Sequence, residues 1–123
     1  MIGKLHYMAP EQARGEPAVA ATDVYSAAVV IWELVTGRRF WGELDKGVVM
    51  MELCDGSWRP SFDDVPAPLR EVLRAALDPE PTTRLKDGAA LQRLGIASVA
   101  HLPAVGQHLQ DHLDVILGHH IPG

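Results

Sequence analysis

Between Thr22 and Gly37 the chain reads TDVYSAAVVIWELVTG, and no other stretch limits the possible folds as strongly. Val24, Ala27, Ala28, Ile31, Leu34 and Val35 recur at the spacing of one helix face, while Val29, Val30 and Trp32 fill the other faces. A helix that is apolar nearly all round belongs in the middle of a domain, covered on several sides. Its ends are marked too. Thr22 is expected as the N-cap, Asp23 sits where the helix dipole favours a carboxylate, and Gly37 stands at the C-terminal stop.

The rest of the chain supplies shorter elements. Residues 1–9 show no period and read as an irregular or extended lead-in. Pro10 fits the first turn of a short helix through Arg14, because its missing N–H is not needed there. Phe40 and Trp41 fall in a turn over residues 38–43. A weaker helix is expected from about Asp45 to Cys54, broken by Asp55-Gly56, and residues 57–66 form a loop. Pro68 opens a helix with the stripe Leu69, Val72, Leu73, Ala76 and Leu77, and Asp78-Pro79-Glu80-Pro81 stops it. Asp87 is expected to cap another short helix with Ala90, Leu91 and Leu94 inward. Beyond Gly95, residues 96–102 read as one short strand, and residues 105–117 return to helical spacing. The sum is a mainly α single domain.

Charge and composition exclude several classes. The net charge is −5 and the eleven Lys and Arg are scattered, whereas a nucleic-acid surface needs a basic patch. The longest apolar run, residues 27–31, is far too short to cross a bilayer, and the chain opens with no secretory signal, so a cytoplasmic location is expected. The single cysteine, Cys54, rules out an internal disulfide; beside Asp55 at a helix C-terminus it is expected to be structural rather than reactive.

Three segments in order, YMAPEQARG, TDVYSAAVVIWELVTGR and RAALDPEPTTR, resemble bacterial Ser/Thr protein kinases of the eukaryotic type over residues 1–91. The resemblance implies the lower part of a protein-kinase large lobe, with an extra C-terminal helix. It also implies roles. Ala9-Pro10-Glu11 matches the APE that closes the family's activation segment, Asp23 matches the Asp that anchors the catalytic loop's backbone, and Arg84 matches the Arg that pairs with the motif's Glu. Glu11 and Arg84 are therefore expected to form a buried ion pair. The family's Gly-rich loop, strand Lys, HRD-type loop and DFG Asp do not occur in these residues, and Lys4 stands where the family's substrate-docking loop usually carries Thr. No catalytic residue, cofactor or phosphoryl transfer is expected of this chain. With the rest of the lobe missing, apolar surface is expected to be left exposed, to lower stability and to favour self-association or a protein partner.

Residues 92–115 carry a second resemblance. Leu94-Gly95-Ile96, Leu102-Pro103, Val105-Gly106 and Leu109-Gln110-Asp111-His112 are similar in order to a run of the glucose–methanol–choline flavoprotein oxidoreductases, with Ala104 and His108 as departures. The family's FAD-binding GxGxxG unit does not occur here, so no flavin is expected. This places a junction near residue 91 and a distinct tail over 92–123.

Six histidines are present, five of them after residue 100. His108 and His112, four apart on an expected helix, could share a metal, but there is no HExxH pattern and no cysteine to join them. Solvated histidines, with no metal, are the expectation. Trp32, Trp41 and Trp58 are read as core and loop packing, because no basic groove accompanies them.

Overall fold

The computed structural model describes residues 4–56, 58–86 and 88–98. These form six helices in chain order: α1 (Lys4–Tyr7), α2 (Pro10–Ala13), α3 (Ala20–Thr36), α4 (Lys46–Asp55), α5 (Ala67–Ala76) and α6 (Ala89–Ser98). Among the described residues there is no strand. α3 is the axis of the domain, with α1, α5 and α6 against it, while α4 packs on α1 and α2. Val24, Ala27, Ala28, Val29 and Ile31 are almost fully buried, as an all-round apolar helix requires.

The ends of α3 show why it sits where it does. The helix begins at Ala20 with Val19 as its extended N-cap, so Thr22 is not the cap but the third helical residue. Its hydroxyl accepts the Val19 N–H at 3.0 Å, reaching back to the residue it was expected to stand in for. At the other end Gly37 turns the chain with φ +70°, a conformation that side chains disfavour, and donates its N–H to the Glu33 carbonyl at 2.9 Å. α4 is capped by Asp45, whose carboxylate accepts the Gly47 N–H at 3.1 Å. α5 begins after Pro66 and buries Leu69, Leu73 and Ala76.

Phe40 is the centre of an aromatic cluster below α3. Its ring meets Trp32 at 5.4 Å and Trp41 at 5.6 Å, both edge-on, and Trp58 at 5.0 Å. Trp41 and Trp58 lie 4.3 Å apart, and the Trp32 indole donates to the Ser61 carbonyl at 2.9 Å, which pins the 58–66 loop. The expectation that these three tryptophans are packing residues holds.

Several expectations need correction. Residues 4–7, read as irregular, make the single turn α1, anchored where the Ser26 hydroxyl donates to the Tyr7 carbonyl at 2.7 Å. Residues 96–98, read as the start of a strand, continue α6; the remainder of that segment, the 105–117 helix, Asp87 and the five C-terminal histidines lie outside the described residues. Cys54 is exposed and outside the core, so it has no structural packing role. On α5, Arg70 is half-buried and donates to the Val65 carbonyl at 3.0 Å. Among the described residues the exposed large hydrophobic ones are Val19, Leu44, Met50 and Met51, none of which is in α3. The exposed apolar surface expected of the chain therefore lies mostly on and beside α4, at Leu44, Met50 and Met51.

α6 reaches α3 through a glycine. A Cβ placed on Gly95 would stand 2.8 Å from Ile31 Cδ1, 3.1 Å from its Cγ1 and 3.2 Å from its Cγ2. Inside a helix, alanine is normally favoured over glycine by about 1 kcal/mol. Here overpacking, at about 1–3 kcal/mol, opposes that gain. Gly95→Ala is accordingly expected to lower the denaturant midpoint; a rise would mean that α6 is not seated this closely.

Candidate functional site

The most elaborate polar arrangement of the domain lies where the start of α2, the start of α3 and the loop after α5 converge. Pro10 opens α2 and places Glu11 in its first turn, facing inward and 1% exposed. The prolines at 79 and 81 stop α5 and fold the loop back, so that Arg84, also 1% exposed, points at the same spot. The two side chains meet as a fork: Arg84 Nη1 donates to Glu11 Oε2 at 2.7 Å and Nη2 to Oε1 at 2.8 Å. The expected pairing is formed, across 73 residues of sequence.

Burying two charges is costly unless every donor and acceptor is met. Here the surroundings meet them. Arg84 Nη1 also donates to the Ala21 carbonyl at 2.8 Å, Nε to the Asp78 carbonyl at 2.7 Å, and Nη2 reaches the Pro79 carbonyl at 3.4 Å. The guanidinium lies over the Tyr25 ring, 5.0 Å from its centroid, an arrangement favourable to a cation. On the acid side the buried Thr22 hydroxyl donates to Glu11 Oε2 at 2.7 Å. Burial pushes the Glu11 carboxyl up, but hydrogen bonds from Arg84, Thr22 and its own backbone, with the Arg84 charge, outweigh this and hold it below the ordinary carboxylate range. Burial first, with a smaller push from the Glu11 charge, raises the neighbouring Tyr25 hydroxyl to about 12, against the Arg84 and Arg59 charges.

Thr22 was read only as a cap. It accepts from Val19 and donates to Glu11, and so links the start of α3 to the ion pair. No local pattern announces this, since Glu11 is eleven residues away and belongs to another element.

Asp23, one residue on, is exposed, and among the described residues nothing donates to its carboxylate. Partial desolvation raises its pKa. The structure thus brings Ala9, Pro10, Glu11 and Arg84 into one buried neighbourhood and leaves Asp23 on the surface beside it.

A second link, not anticipated, ties α1 to α3. The Tyr7 hydroxyl donates to Glu33 Oε1 at 2.8 Å, and the Phe40 N–H donates to Oε2 of the same carboxylate at 3.0 Å. Burial first, then the Glu33 hydrogen bond, pushes the Tyr7 hydroxyl up to about 12. Among the described residues no cluster of His, Cys, Asp and Glu is arranged to hold a metal, and no helix is long and apolar enough to cross a membrane.

The model of the protein tyrosine and serine/threonine kinase family matches residues 2–94. The chain belongs to this protein kinase family. It is 36% identical over 95 residues to a serine/threonine-protein kinase of Corynebacterium efficiens, an overlap of 76% of this chain and 18% of that protein. It is 40% identical over 84 residues to the serine/threonine-protein kinase PkaA of Streptomyces coelicolor, covering 68% of this chain and 15% of PkaA. With PknA of Mycobacterium tuberculosis the identity is 37% over 89 residues, covering 72% of this chain and 20% of PknA. The kinase-family chain therefore spans no more than 20% of the length of these three relatives. What it holds of the kinase fold is a helical part, in agreement with the lower large lobe expected from its motifs.

Proposed function

We propose that this chain is the supporting platform of a Ser/Thr kinase large lobe and has no phosphotransferase activity by itself. The observation that carries the reading is the buried, fully hydrogen-bonded Glu11–Arg84 pair, a structural clasp present in a sequence without a Gly-rich phosphate loop, an HRD-type loop or a DFG Asp. Phosphoryl transfer rests almost wholly on positioned charge and metal, and the clasp positions backbone rather than phosphate. In this reading Ala9-Pro10-Glu11 and Arg84 are the kinase landmarks, and Asp23 is the anchor for the backbone of a catalytic loop these residues do not include. Its exposed, partly desolvated carboxylate, with no donor among the described residues, is in keeping with that role. A cytoplasmic location belongs to the same proposal, and kinship with bacterial kinases is in keeping with it. Isothermal titration of the chain with ATP and magnesium is expected to show no specific heat. A micromolar, magnesium-dependent site would overturn the reading.

The tail is part of the proposal. We infer that residues 92–115 derive from a glucose–methanol–choline type oxidoreductase joined to the kinase-like part near residue 91, on the strength of the residues from Leu94 to His112 named above. α6 runs from Ala89 to Ser98 without a break, so a join at this point leaves no seam in the helix.

A second reading, a non-catalytic protein-binding module on the same platform, draws on the exposed Leu44, Met50 and Met51 on and beside α4. Methionine-rich exposed faces suit partner surfaces because the side chain adapts its shape. This reading requires saturable binding of one protein ligand that Met51→Glu abolishes without lowering the thermal midpoint. Binding insensitive to that change would remove it.

A further inference from the structure

We draw no further inference here: the strongest candidate, the open apolar groove of about 490 Å³ between residues 16–21 and 81–86, lies beside the Glu11–Arg84 pair already described, and nothing in the structure shows what covers it.

Discussion

Arg84→Ala is expected to remove about 3–5 kcal/mol of folding stability, because it strands the Glu11 carboxylate, 1% exposed, without its charged partner. The same change at Arg74, exposed on α5 with a 3.7 Å contact to Glu71 and its guanidinium 5.2 Å from the Phe62 ring centroid, is expected to cost no more than about 1 kcal/mol. Against a total stability of about 5–15 kcal/mol for a typical domain, the Arg84 variant is close to unfolding. Urea titrations followed by circular dichroism read the difference directly. Glu11→Ala alone is expected to cost a similar amount, and the double variant much less than the sum, since neither charge is then left alone. Acid supplies an independent check. The Glu11 pKa is lower in the folded chain than in the unfolded one, where it is about 4.3. The stabilisation it contributes is therefore complete above that value and disappears as pH falls through the lower folded value. Glu11→Gln is expected to flatten this acid limb. A loss for Arg84→Ala within about 1 kcal/mol of that for Arg74→Ala would show that the clasp is not formed in solution.

Phe40→Ala is expected to cost about 3–5 kcal/mol, the range for truncating a buried phenylalanine. The ring lies against all three tryptophans of the chain, so its loss opens a cavity that each of them borders. Edge-to-face contacts add about 0.5–1.5 kcal/mol per pair beyond the area buried, and these are lost as well. Intrinsic fluorescence gives a local readout, because no tryptophan lies elsewhere to dilute the signal. The emission maximum of the folded variant is expected to shift to the red, and Phe40→Leu, which keeps most of the volume, is expected to shift it less and to cost less. An unchanged spectrum together with a loss below about 1 kcal/mol would contradict the packing around Phe40.

Much of the helical framework was legible because breakers and period agree in it. Gly37 and Gly56 stand directly after the ends of α3 and α4, Pro66 and Pro68 flank the first residue of α5, and Pro79 follows its last residue by three. What escaped was decided at long range. α1 is a single turn, too short to display any period, and it is held by Ser26 and Glu33 from another helix. Thr22 moved from cap to third residue of α3 because its hydroxyl has two partners there, Val19 and Glu11. Ile96 favours a strand by local preference, but α6 continues past Gly95, which lets it settle against Ile31; packing overrode propensity. Of the site, the Glu11–Arg84 pair could be anticipated only through the kinase-like motifs, since residues 73 apart leave no local signal. The roles of Tyr7, Glu33 and Thr22 had no signal at all.

The Glu11–Arg84 contact also bears on the order in which the chain assembles. Bringing its partners together closes a loop that holds α3, α4 and α5, and the entropy of closing so long a loop must be met before the contact yields anything. Short-range helix pairs form sooner, so the clasp is expected to lock only after the barrier has been crossed. An interaction absent at the barrier leaves the refolding rate nearly unchanged and slows unfolding instead. In that role the pair is a latch on the finished domain: it sets how long the helices stay together once assembled, and has little say in how fast they find one another.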